Sequence, residues 1–363
     1  MQARVLVLEE PRRLRARELP VPETADDDGV LRVEACGLCG TDHEQYTGAL
    51  PTGRAFVPGH ETVGVIESVG PVAAARWGVR PGDRVAVEVF LSCGRCDACR
   101  AGDVRRCTRH GLRDMYGSVA VEHAPGLWGG YAQYQYLAPD SLVLPVPDGL
   151  DPVVATLFNP LGAGIRWAAT LPCTGTGDLV AVLGPGVRGL AACAAAKEAG
   201  AAFVMVTGCG PRDAGRLALA WSFGADLAVD VTRADPVEAF RDATGGALAD
   251  VVVDVTAKAP GALAQGVALT RVGGTLVLAG TRGSDATPDF HPDLVVYKEL
   301  RILGALGVDT AAYRAAFELL GSGRYPFATL PRQVAGLDGA EDLLRTMAGE
   351  TDAVPPVHAV VLP

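Results

Sequence analysis

Between Cys36 and Glu61 the chain reads CGLCGTDHEQYTGALPTGRAFVPGHE. This one Gly- and Pro-punctuated stretch holds a thiol (Cys39), a hydroxyl (Thr41), two carboxylates (Asp42, Glu61) and two imidazoles (His43, His60). Cys and His are ligands that zinc prefers, and a catalytic zinc keeps one position open for substrate or water. Taken singly, Cys39 reads as a buried thiol and His60 as a structurally satisfied histidine. Taken together, with Thr, Asp and Glu around them, they read as a metal site.

Cys93, Cys96 and Cys99 follow at C-x-x-C spacing, and seven residues later stands Cys107. Four thiolates can close a tetrahedron around zinc and leave no open position, the mark of a structural site. A ferredoxin-like iron–sulfur cluster needs a gap of about three residues and a Pro after the last Cys; here Thr108 follows.

A third pattern is Gly184-Pro185-Gly186-Val187-Arg188-Gly189. It follows a short apolar run, Leu179–Leu183, and opens an Ala-rich segment that ends at Gly200. Two glycines let the backbone turn tightly and approach a pyrophosphate, a third lets helix and strand pack closely, and the helix N-terminus faces the phosphates. After a strand and before a helix, GxGxxG becomes a strong dinucleotide signal.

The elements that must carry these groups divide in two. Up to about residue 150, short strands are expected at Arg4–Leu8, Val30–Ala35, Val63–Val69 and Arg84–Val87, separated by Pro-, Gly- and Asp-rich turns. From Asp178 the pattern alternates strand and helix. Strands are expected at Leu179–Leu183, Phe203–Thr207, Leu227–Val231, Asp250–Val255, Thr275–Leu278 and Arg301–Gly304. Helices at Arg216–Phe223, Pro236–Ala243 and Pro260–Leu269 fall between them, which predicts a doubly wound sheet. A helix at Ala311–Leu320 and a strand at His358–Val361 are expected to return to the first domain.

The totals agree. A chain of 363 residues exceeds what one core usually fills, so two domains are expected. Hydrophobic residues at 49% and charged residues at 20% suit a globular protein with a large core. A net charge of −10 without a Lys/Arg block argues against nucleic acid as the main partner. No apolar run is long enough to span a bilayer. The N-terminal residues lack the apolar core of a signal peptide, and nine cysteines clustered at metal-like spacing suit a reducing compartment, so a cytoplasmic protein is expected.

The halves Gly37-Leu-Cys-Gly-Thr-Asp42 and Gly59-His-Glu61, the four-Cys spacing and the glycine loop resemble the zinc-dependent medium-chain dehydrogenases/reductases, in order and along essentially the whole chain. The resemblance implies a β-rich GroES-like catalytic domain over 1–158 and 309–363, with a structural-zinc lobe at 93–107. It implies a Rossmann domain over 159–308. It implies hydride transfer between a small alcohol, favoured as secondary or a polyol, and NAD or NADP. By resemblance, Cys39 and His60 hold the catalytic zinc, with Glu61 as third or exchangeable ligand. Thr41 takes the hydroxyl proton and passes it through His43 or Glu44, and Asp42 braces His60. The family's third ligand falls at Asn159, where an amide replaces Cys or Glu and binds zinc far less well. Trp128 is expected to wall the substrate pocket. The cofactor is expected against Gly184, Pro185, Gly186, Val187, Gly189 and Thr207.

No acid ends the second strand of that domain, Thr207-Gly208-Cys209, to hold a ribose. Arg212 or Arg216 could meet a 2′-phosphate, and Asp213 could be a helix cap or a ribose ligand. The edge strand Arg301–Gly304 suggests a homodimer or homotetramer. Three alternatives stand beside this reading: a zinc-independent NADPH-dependent reductase of the same fold, a non-catalytic nucleotide-binding protein with structural zinc only, and a thiol-based metal store or redox sensor.

Overall fold

The computed structural model describes residues 1–257, 259–282 and 289–363. The chain forms two compact units. Unit 1 comprises Met1–Phe158, Asp309–Ser322 and Phe327–Pro363; unit 2 comprises Asn159–Val308 and Gly323–Pro326.

Unit 1 is built mainly on antiparallel strands, with one parallel pair at the edge of its larger sheet. β1 (Gln2–Glu10) and β2 (Arg13–Pro20) form a hairpin. β1 buries Ala3 and the continuous run Val5–Leu8, whereas β2 is largely exposed. Arginines on β2 answer Glu9 and Glu10 of β1, a charged edge that discourages further pairing. The larger sheet has seven strands: β3 (Gly29–Leu38), β4 (Glu61–Val69), β5 (Arg84–Val87), β6 (Tyr134–Leu137), β7 (Val143–Pro145), β14 (Arg332–Gly336) and β15 (His358–Leu362). Its order is β14-β15-β3-β4-β5-β7, with β6 also on β3. Strand β14 was not anticipated: its sequence, RQVAG, has one β-branched residue and is mostly exposed or half-buried. Pairing with β15, not propensity, makes it a strand.

Unit 2 is the parallel sheet expected. Its strands are β8 (Leu179–Leu183), β9 (Phe203–Gly208), β10 (Leu227–Asp230), β11 (Ala249–Asp254), β12 (Thr270–Leu278) and β13 (Arg301–Gly304). The order is β10-β9-β8-β11-β12-β13, parallel throughout. Beginning in the middle, it winds outward both ways, and ligands of such sheets bind where the order reverses, here between β8 and β11. Val180, Ala181 and Val182 are fully buried, as a strand covered on both faces requires. Arg301–Gly304 is a strand as expected, and a helix, Pro292–Tyr297, opened by Pro at its first turn, precedes it.

One core residue of unit 1 opposes the fold. Glu88, just after β5, is fully buried, and neither carboxylate oxygen has a hydrogen-bond partner among the described residues. Burial raises its pKa to about 8; the Phe90 peptide, too poorly placed for a hydrogen bond, and the Arg105 charge offset this only in part. An unfolded Glu ionises near ~4.3. Between that pH and about 8 the folded state keeps a proton that the unfolded state has released, so stability falls as pH rises, by up to ~1.4 kcal/mol per pH unit. Glu88→Gln is therefore expected to flatten the decline in urea midpoint from pH 5 to pH 8 and to stabilise the protein at the alkaline end. Equal pH slopes for wild type and variant would refute this.

Candidate metal centres and dinucleotide loop

In unit 1, register brings the first ligands together. Gly37 of β3 pairs with Glu61 of β4, so Cys39, just past the end of β3, meets His60, just before β4. Gly59 holds φ +92, and a Cβ there would lie 2.6 Å from the Tyr131 ring and 2.8 Å from Cys36 Sγ. Only glycine lets the chain place His60 at that point. Cys39 is the N-cap of the helix Gly40–Thr47.

Cys39 Sγ lies 3.3 Å from His60 Nε2, and His60 Nδ1 lies 3.6 Å from Asp42 Oδ1. The imidazole thus stands between a thiol and a carboxylate, the arrangement in which one ring nitrogen takes a metal and the other is braced. Asp42 is in turn fixed by the Cys39 N–H, which donates to Oδ2 at 2.9 Å. Donor atoms of Cys39, Asp42 and His60 all fall within 4.8 Å of one another.

The surroundings ask for a cation. Asp42 Oδ1 and the Tyr131 hydroxyl are buried without hydrogen-bond partners among the described residues. Burial and the charges of Asp42, Cys36, Cys39 and Glu61 push the Tyr131 phenol well above its usual range. Burial opposes charge on His60, but Cys39 and Asp42 outweigh it and bring it to about 10. A soft thiolate, an imidazole and an unanswered carboxylate fit zinc.

The other residues named for this site lie as follows. Glu61 is buried, and its Oε2 fills the space over Gly37, 2.4 Å from where a Cβ would be; it is not in the ligand cluster with Cys39, Asp42 and His60. Thr41 and Glu44 are half-buried, whereas Asp42, His43, Gln45 and Tyr46 are buried. Residues three apart share a helix face and residues two apart do not, so Glu44 lies on the Thr41 face and His43 does not. His43 instead meets Glu350 Oε1 at 2.9 Å through Nε2. Sequence reading missed Glu350, which no local signal marks and which lies 307 residues away. Arg12 also grips its carboxylate; these two partners pull its pKa down to about 2. Trp128 belongs to a core cluster with Leu31, Ile66 and Tyr116, and its indole N–H donates to the His123 carbonyl at 2.8 Å. It packs in that cluster and at the same time lines a cavity of about 590 Å³ together with Leu91, His123 and Tyr136.

The second centre is complete within one lobe. Cys93, Cys96, Cys99 and Cys107 bring their sulfurs within 4.8 Å of one another. The peptide N–H groups of Thr108 and Cys99 lower Cys96 to about 6. Cys107 is lowered to about 7 despite its burial, by N–H groups from Cys93, His110 and Arg109. All nine cysteines are free thiols. Burial raises Cys99, by contrast, to about 11; the close tetrad of sulfurs fits a structural zinc.

In unit 2, Gly184 follows β8 at φ +104, and a Cβ on it would press on Thr256 at 3.1 Å. A Cβ on Gly189 would lie 1.8 Å from the Gly184 carbonyl oxygen, so the helix Val187–Glu198 can approach only with glycine there. Gly186 has open space around it and caps the helix with no side-chain bond. A cradle of this kind at a helix N-terminus fits a pyrophosphate. Pro185 leans on Gly208, and the Gly184 N–H donates to the Thr207 carbonyl at 3.1 Å. Asn159 accepts from Arg188 Nη2 at 3.2 Å, which ties the amide that replaces the family's third ligand to the glycine loop. Arg212 is exposed, and Arg216 pairs with Asp213 at 3.2 Å.

Residues 25–148 match the model of the alcohol dehydrogenase GroES-like domain, and residues 188–322 match that of the zinc-binding dehydrogenase. A Mycobacterium tuberculosis protein described as "Probable alcohol dehydrogenase" is 69% identical over 99% of this chain and 98% of its own length. Sorbitol dehydrogenase of Bacillus subtilis is 32% identical over 87% of this chain and 85% of that one. Among solved structures, a "putative zinc-binding dehydrogenase" from Sinorhizobium meliloti bound to NADP superposes with a TM-score of 0.84 at 29% identity, covering 100% of both chains. The chain therefore belongs to the zinc-binding alcohol dehydrogenase family, whose members are oxidoreductases dependent on zinc and a nicotinamide cofactor.

Two zinc ions per chain are expected by elemental analysis. Cys39→Ser should lower this to one and leave the thermal midpoint nearly unchanged. Cys107→Ser should also lower it to one, but with a marked loss of stability, because a closed structural site contributes folding energy directly. A wild-type content of one zinc would contradict the two-centre reading.

Proposed function

We propose that this chain interconverts a secondary alcohol or polyol and its ketone, with Cys39 and His60 holding the catalytic zinc and Cys93, Cys96, Cys99 and Cys107 the structural one. The observation that carries the reading is the His60 ring between the Cys39 thiol and the Asp42 carboxylate, in a chain that also has the glycine loop. Bound zinc lowers the pKa of an alcohol hydroxyl, and the nicotinamide takes the hydride. Asp42 keeps His60 in the orientation that offers Nε2 to the metal. Glu61 stays beside the cluster and adds negative potential to it. Thr41 accepts the hydroxyl proton and Glu44, on the same face of the helix, takes it onward. His43, turned to Glu350, anchors the helix rather than relaying. The kinship with sorbitol dehydrogenase supports a polyol-like substrate.

Two further points complete the proposal. We assign the protein to the cytoplasm, a reading supported by nine unpaired thiols; no helix among the described residues is long and apolar enough to cross a membrane. We assign it a homodimer or a tetramer of dimers built on β13. This strand ends its sheet, exposed Val296, Tyr297 and Leu306 flank it in sequence, and exposed Val272 lies on the neighbouring β12.

Absorbance of the reduced cofactor, followed across a panel of alcohols and sugars, tests the activity. Thr41→Ala is expected to lower kcat by roughly a hundredfold or more, the usual scale for a proton-transfer group, and Thr41→Ser to restore most of it. Glu44→Gln should also lower kcat. His43→Ala should mainly lower the melting temperature. Normal turnover in Thr41→Ala, or a larger kcat loss in His43→Ala than in Glu44→Gln, would overturn the relay.

A further inference from the structure

We propose that Tyr131 is a positioning residue of the Cys39–His60 centre: its phenol O–H donates to the Asp42 carboxylate and fixes the orientation in which that carboxylate braces His60. The inference rests on the two-centre reading above.

The Tyr131 hydroxyl, Asp42 Oδ1 and Gln45 Oε1 are all buried and have no hydrogen-bond partner among the described residues. They converge on one short stretch of chain. Tyr131 Cε1 and Cδ1 lie 2.9 and 2.6 Å from where a Cβ on Gly59 would stand, so the ring is seated against the residue before His60. Asp42 and Gln45 are three apart, on one face of the helix Gly40–Thr47, and both are buried. Gln45 Nε2 donates to the Gly117 carbonyl at 3.4 Å, and a Cβ on Gly117 would lie 3.2 Å from His60 Cβ. After burial, the foremost influence on the Tyr131 phenol is the Asp42 charge.

The supply of donors then decides the arrangement. A carboxylate only accepts, and a phenol has one proton to give. Asp42 Oδ2 is already held by the Cys39 N–H at 2.9 Å. Oδ1 faces His60 Nδ1 at 3.6 Å, too long for a hydrogen bond. That oxygen has room for two donors, the imidazole N–H and the phenol O–H. Gln45 Oε1 competes for the phenol, but it is neutral, and a charged acceptor makes the shorter and stronger bond. With Oδ2 on the Cys39 N–H and Oδ1 on the phenol, both ends of the carboxylate are anchored. It then cannot swing away from His60, whose Nε2 is the nitrogen beside the Cys39 thiol.

The test uses the full-length zinc-loaded protein and its cobalt(II)-exchanged form. Tyr131→Phe keeps the ring and removes only the hydroxyl. Competition with a graded chelator is expected to show zinc at Cys39 and His60 held about ten- to a hundredfold less tightly, the usual scale for a group that orients a metal ligand. The cobalt(II) absorption bands should shift, and zinc on the four clustered cysteines should be held as before. A packing role alone would change the melting temperature and neither of these readouts. Added to Asp42→Asn, Tyr131→Phe should cost little more, because the tyrosine acts through that carboxylate. Wild-type zinc retention and an unshifted cobalt spectrum in Tyr131→Phe, or losses that add in full, would overturn the proposal. Should that variant not fold, wild-type protein labelled at the tyrosine ζ-carbon decides: one tyrosine resonance is expected to move when zinc is withdrawn from this centre, and a spectrum in which none moves is equally fatal. A wild-type chain that holds no zinc at Cys39 and His60 would remove the two-centre reading along with this one.

Discussion

The antiparallel pairing of β3 with β4 is the constraint on which the metal chemistry depends. With Gly37 opposite Glu61, a thiol and an imidazole from separate turns are brought to 3.3 Å. A one-residue slip would turn alternate side chains to the other face and part the two. The register is guarded by close packing: Glu61 fills the space over Gly37, and the Tyr131 ring and Cys36 sulfur fill the space over Gly59. The same packing leaves Asp42, Glu61 and the two thiols in a poorly hydrated region. Negative groups gathered away from water are costly unless a cation answers them. Folding energy is thus stored as affinity for a metal.

The helix Gly40–Thr47 is too short to hold its place by its own hydrogen bonds. It is held from the far end of the chain. His43 meets Glu350, Arg12 grips the same carboxylate and stacks over Tyr46, and the Tyr46 hydroxyl donates to Glu341 at 2.6 Å. Cys39, Thr41 and Asp42 ride on that helix or cap it, so the C-terminal segment bears on the geometry of the site without contributing a ligand.

In unit 2 the equivalent device is the bare backbone. Gly184, Gly189 and Gly208 each stand where a side chain would collide with a neighbouring segment. Close approach at three points gathers the loop, the helix and the end of β9 around one place. The turn at Gly210 then brings the Asp213 carboxylate back to that strand end, where it accepts from the Cys209 N–H.

Local chemistry determined much of this protein. Ligand types and spacing marked both metal centres and the dinucleotide loop, because thiol clusters and strand–glycine–helix patterns have few other physical uses. Buried parallel strands such as β8 were legible as continuous apolar runs, since both of their faces are covered. Tertiary structure alone decided which polar residues serve those centres. Thr41, His43 and Glu44 are equally polar in sequence, and only the winding of one helix and a partner 307 residues away separate them. Trp128 packs in a core cluster and also lines a cavity beside it. Asp213 left its helix cap for the end of β9. Side-chain direction depends on what packs around it, and that neighbourhood comes into being only when distant segments meet.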